Sequence, residues 1–89
     1  MTVYSTVDVS PLFAPLAVRG RILRCRVVLP PMVQLRPITS AAGIDWYRAR
    51  AAGGAGLVIV EATAVNRFGT ELHADNLRPL VDAIHEGGA

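Results

Sequence analysis

The chain has no lysine, a single cysteine, few aromatic residues and no long apolar run. A helix that crosses a bilayer needs about 20 consecutive apolar residues. Here Glu61, the prolines and the arginines interrupt every hydrophobic stretch, so no membrane span is expected. With Cys25 alone, an internal disulfide and a multi-cysteine metal site are excluded. Residues Met1 to Ser10 lack the cationic start and apolar core of a secretory leader and read as a flexible tail. These absences together point to the reducing cytoplasm.

Without lysine, all nine cationic side chains are arginines. The net charge is only +2, so the pI near 9.3 reflects a small imbalance and not a basic field. Arg19, Arg21, Arg24 and Arg26 do cluster, as they would on a nucleic-acid-binding surface. They fall, however, on a strand pattern with Ile22, Val27 and Val28 and without interleaved aromatics, which reads as a solvated face. Neither nucleic acid nor a membrane is therefore expected as a partner.

Hydrophobic residues make up 52% of the chain, and the mean hydropathy is +0.38. That is high for 89 residues, which support only a thin core. The excess implies apolar surface to be covered by more protein or by self-association.

The clearest local pattern is Gly56-Leu57-Val58-Ile59-Val60-Glu61-Ala62-Thr63-Ala64-Val65. Leu57 to Val60 is apolar at every position, the pattern of a strand covered on both faces in a parallel sheet. Upstream, Arg26 to Met32 reads as a second such strand, ended by Pro30-Pro31, which have no N–H to donate. Between the strands, Ser40 to Ala52 reads as a helix capped by Thr39 or Ser40, with Ile44, Tyr47 and Ala51 on one face. Gly53-Gly54-Ala55-Gly56 connects it to the next strand; it follows a helix and so is not a phosphate cradle. Leu16 to Val18 and Ile22-Leu23 flank Arg19-Gly20-Arg21 as a tight hairpin, Gly20 supplying a positive φ. Residues Val65 to Ala74 read as a loop, followed by a helix capped by Asp75 or Asn76. That helix has Leu77, Leu80, Val81 and Ile84 on its apolar face and Pro79 in its first turn.

Strand, helix, strand, helix is an α/β pattern, in which chemistry gathers at the carboxyl ends of the strands. Those ends are Pro30 to Val33 and Glu61 to Thr63. Glu61 closes a hydrophobic strand with a carboxylate that needs partners if buried; backbone N–H groups or an arginine are expected, and a rim carboxylate held by an arginine is the favoured reading over direct chemistry. Met32 offers a polarizable surface suited to a flat ring. His73 and His85 lack carboxylates or thiols at ligand spacing and read as surface residues. Cys25 reads as a small core residue.

Four segments carry a resemblance in order and spacing: Leu12-Phe13-Ala14-Pro15-Leu16, Arg26 to Met32, Tyr47-Arg48-Ala49-Arg50-Ala51, and Gly56 to Val65. Together they resemble the amino-terminal part of the old yellow enzyme family of flavin-dependent ene-reductases, closest to its bacterial NADH:flavin oxidoreductase branch. The resemblance implies the first portion of a (β/α)8 TIM barrel over residues 11–89, with a bottom-capping hairpin and an end before the third strand. It implies FMN as cofactor, held by Pro30, Pro31, Met32, Val33 and Ala62. It further implies hydride transfer from NAD(P)H through FMN to an electron-poor alkene.

Three positions depart from the family pattern. Val33 stands where Thr or Cys is usual, Leu35 where the bacterial branch often has Tyr, and Arg24-Cys25 where Lys-Asn is usual. The family's proton-donating Tyr, its substrate-binding His pair or His–Asn pair and its phosphate anchor have no counterpart in these 89 residues. The expectation is that this chain alone neither holds FMN tightly nor reduces alkenes, with no catalytic residue of its own. The alternative is a self-associating, non-catalytic βα module.

Overall fold

A computed structural model of the chain describes residues 7–63 and 74–89. A short 3-10 turn, Ser10–Phe13, precedes two antiparallel strands, β1 (Leu16–Val18) and β2 (Arg21–Leu23). β3 (Val28–Leu29), α1 (Ala41–Ala52), β4 (Leu57–Val58) and α2 (Ala74–Glu86) follow. The fold is thus a small α/β unit with two two-stranded sheets. Most of the expected tail (1–6), all of the 65–73 loop region and His73 lie outside the described residues.

The hairpin forms as its turn chemistry dictates. Arg19 has φ 45° and Gly20 φ 80°, the two consecutive positive values that a type I′ turn requires. Leu16 pairs with Leu23, and Val18 with Arg21.

β3 and β4 pair in parallel, Val28 opposite Leu57 and Leu29 opposite Val58. Backbone bonds extend the ladder at both ends: Gly56 N–H donates to Val27 O (2.8 Å) and Ile59 N–H to Leu29 O (3.1 Å). Gly56 permits this approach, since a Cβ there would fall on the Cys25 carbonyl. Cys25 itself is buried, and its thiol donates to Gly54 O at 3.1 Å.

α1 starts at Ser40, whose hydroxyl accepts from Gly43 N–H at 3.1 Å. Its inner face carries Gly43, Tyr47 and Ala51, with Ile44 half-buried beside them. At the other end the Arg24 guanidinium reaches the Ala51 and Ala55 carbonyls, placing a cation at the negative pole of the helix. Arg24 stays exposed, as do Arg19, Arg21 and Arg26, but its guanidinium also ties the hairpin to the end of α1.

α2 packs on α1 through Leu80, Ala83 and Ile84, all buried. Two expectations about α2 change. Val81 faces solvent, and Ala83 takes its place because residues 77, 80, 83 and 84 share the stripe at 100° per residue. Pro79 is the sixth residue of the helix and not in its first turn, so the backbone carbonyl of Asp75 loses its intrahelical donor.

The core joins Ile38, Tyr47, Ala51, Leu80 and Ile84, with Leu29, Val58 and Val60 packed against it from the sheet. The alternate residues Val28, Leu57 and Ile59 are each about two-fifths exposed (42%, 39% and 42%). The expected two-sided burial of the strands is thus incomplete: helices cover one face and, among the described residues, the other stays partly exposed. No described helix is long and apolar enough to cross a membrane.

Candidate functional site

The carboxyl ends of β3 and β4 lie side by side because the pair is parallel and in register. Beyond Leu29 the chain runs through Pro30, Pro31, Met32 and Val33, all exposed; beyond Val60 it runs into buried Glu61, exposed Ala62 and half-buried Thr63. A concavity of about 200 Å³ opens between the two ends, bordered by Val33, Gln34, Arg36, Glu61, Ala62 and Thr63.

Glu61 is the one buried charged side chain among the described residues, 7% exposed. Its carboxylate accepts from the Tyr47 hydroxyl at 2.9 Å through Oε1 and from the Gln34 backbone N–H at 3.0 Å through Oε2. The Glu61 backbone N–H in turn donates to the Tyr47 Oη at 3.1 Å. Of the two expected partner types, a main-chain amide is present, and a tyrosine hydroxyl stands in place of an arginine. Two donors satisfy the carboxylate without a second buried charge, avoiding the desolvation cost of an internal ion pair. Among the described residues no buried side-chain polar atom lacks a partner.

The Tyr47 phenol is pushed above its ordinary value of 10.0, chiefly by burial. Donation from the Glu61 backbone N–H opposes that rise, while the adjoining carboxylate adds to it. The phenol is 1% exposed and packs edge-on against Trp46, with ring centroids 5.0 Å apart. Arg50 in turn stacks over the outer ring face of Trp46 at 4.2 Å.

A larger hollow, about 460 Å³, lies at the opposite rim, between the hairpin, the start of β4 and the end of α2. It is bordered by Arg21, Ile22, Arg24, Gly56, Leu57 and His85. Helix carboxyl ends face that rim, and no buried acid or base converges there. No group of three potential metal-ligating side chains gathers among the described residues.

A model of the NADH:flavin oxidoreductase / NADH oxidase family matches residues 11–89. The chain belongs to this family. Its relatives include the NADPH dehydrogenase of Geobacillus sp. (strain WCH70), 36% identical over 93 residues, covering 88% of this chain and 27% of that protein. The NADPH dehydrogenase of Halalkalibacterium halodurans is 35% identical over 97 residues, with coverages of 88% and 28%. The metal reductase of Desulforamulus reducens is 36% identical over 92 residues, with coverages of 90% and 14%. The chain thus spans about a quarter of the length of the first two relatives.

Of the five residues that the NADH:flavin oxidoreductase resemblance singles out, Val33 and Ala62 border the same concavity. Pro30, Pro31 and Met32 sit exposed at the end of β3 but do not line it. Leu35 is fully exposed on the loop that follows. Tyr47 and Gln34 were not singled out from sequence. For Tyr47 a signal existed: a tyrosine on the buried stripe of α1 must find a partner for its hydroxyl, and Glu61 is a buried acid needing donors. For Gln34 there was none, because it contributes through its backbone.

Proposed function

We propose that the carboxyl ends of β3 and β4 form one wall of an FMN site in a (β/α)8 oxidoreductase barrel, of which residues 11–89 supply the first part. The observation that carries this reading is the shared concavity between Val33 and Ala62 at the ends of two parallel strands. Strand carboxyl ends are where such barrels hold their ligands.

The residues present fit one side of a planar ring. Met32 and Val33, 46% and 67% exposed, offer thioether and aliphatic surface, and Ala62 is small enough to let a ring come close to the backbone. Val33 has no side-chain donor, so any polar contact from that position would come from the main chain. FMN held there would supply hydride transfer between NAD(P)H and an electron-poor alkene. The part played by this chain is to bind and orient the ring. Glu61 and Tyr47 stay beneath the surface, each committed to the other, so neither is placed as a proton donor. The names of the NADPH dehydrogenase relatives support a nicotinamide cofactor as the electron source.

A barrel of this kind takes about 250 residues, and no phosphate anchor or proton donor is assigned among these 89. We therefore expect the 89-residue chain to hold FMN weakly and to turn over no alkene. The test is to purify it in the presence of FMN, record flavin absorbance after desalting, and follow NADPH oxidation with an enone. Little retained flavin and no enone-dependent oxidation are expected; clear turnover would refute this expectation.

Self-association is a second reading, favoured by the open apolar face of Val28, Leu57 and Ile59. A single discrete oligomer without flavin on size exclusion would favour it over the barrel portion.

A further inference from the structure

One carboxylate ties together the two segments proposed to face the flavin. Gln34, whose N–H donates to Glu61 Oε2, directly follows Val33; Glu61 directly precedes Ala62. The stretch leading to position 34 offers little hold, since residues 30–33 are all exposed and Pro30 and Pro31 cannot donate. The other carboxylate oxygen is fixed by Tyr47 at 2.9 Å, and Tyr47 is anchored in the core of α1 at 1% exposure. The Glu61 main chain is pinned by the same hydroxyl at 3.1 Å. Backbone and side chain of Glu61 are therefore both referenced to one rigid helical residue, and through Oε2 so is the loop after β3.

We propose that Glu61 is a positioning residue: through Tyr47 it fixes the Gln34 amide, and so sets Val33 against Ala62 at the spacing a planar ring requires. This rests on the flavin reading above and adds to it a specific determinant. Because the acceptor is a carboxylate, its bond to Gln34 is charge-assisted and stronger than a neutral one. A glutamine keeps the shape but loses that strength and places a donor where one carboxylate oxygen accepted.

The experiment combines amide exchange with an FMN titration on the 15N-labelled 89-residue chain, as wild type, Glu61→Gln and Glu61→Ala. In the wild type, Gln34 is expected to be protected, and FMN is expected to shift the Val33 and Ala62 amides. In Glu61→Gln, Gln34 exchange should accelerate about tenfold, the ratio for one charge-assisted bond reduced to a neutral one. The Val33 response to FMN should shrink, while the amides of Ala51 and Leu80 keep their protection. That last readout separates positioning from simple loss of fold; should Glu61→Ala fail to fold, Glu61→Gln decides. Unchanged Gln34 exchange and an unchanged Val33 response in Glu61→Gln would overturn the proposal while leaving the flavin reading intact. No FMN-dependent shift at Val33 or Ala62 in the wild type would overturn the flavin reading and the ligand-positioning role with it. That failure is recognisable, since Gln34 exchange would still depend on Glu61.

Discussion

Tyr47 gives Glu61 a side-chain partner where an arginine was the expected one. Its ring fills the core and its hydroxyl both donates to the Glu61 carboxylate and accepts from the Glu61 amide. Replacing it with phenylalanine leaves a buried carboxylate short of a donor and an amide short of an acceptor. Tyr47→Phe should therefore cost about 1–3 kcal/mol, the penalty for stranding a buried polar group, read as a lower urea midpoint by circular dichroism. The same residue sets an alkaline limit. Its pKa is raised in the folded chain, so the native state keeps a proton that the unfolded state releases near pH 10. Stability should be full below that pH and fall as pH rises from there towards the folded value, and the Tyr47→Phe variant should lose this slope. An alkaline unfolding series on the two proteins checks it.

At the level of elements, the hairpin and α1 were legible because their signals are local. Arg19-Gly20 tolerates positive φ, and Ser40 caps the helix within three residues. The parallel pairing of β3 and β4 was legible from the strand–helix–strand order. What was not legible depends on neighbours distant in sequence. Leu57 to Val60 shows no polar alternation, so nothing local says that Leu57 and Ile59 stay open while Val58 and Val60 pack. Arg24 looks like its exposed neighbours, yet it closes the end of α1 across 27 and 31 residues of sequence. Arg24→Ala should destabilise the chain by about 1–2 kcal/mol, since charge-assisted bonds at a helix carboxyl end are lost. Arg21→Ala, outside that contact, should lie within about 0.5 kcal/mol of wild type. Thermal or urea unfolding of the pair distinguishes an Arg24 that anchors the helix end from one that is only solvated.

For the whole molecule, the radius of gyration is 15.9 Å, against about 12 Å for a compact domain of this length. Among the described residues, Val28, Leu57 and Ile59 leave apolar surface exposed on one face of the β3–β4 sheet. Ile59→Asp, on the open face, should reduce concentration-dependent association on size exclusion with little loss of helical signal. The same change at core-facing Val58 should unfold the chain. The candidate site was legible only in part at this scale: the resemblance singled out Val33 and Ala62 at neighbouring strand ends, and the two border one concavity. The Tyr47–Glu61–Gln34 arrangement beneath it needed the three-dimensional meeting of α1 with both strand ends. The most direct test of the rim assignment is photolabelling of the chain with an azido-flavin, followed by peptide mapping. Label on the segments containing Met32, Val33 and Ala62 is expected, and label concentrated instead on Arg21 to Arg24 or His85 to Ala89 would contradict it.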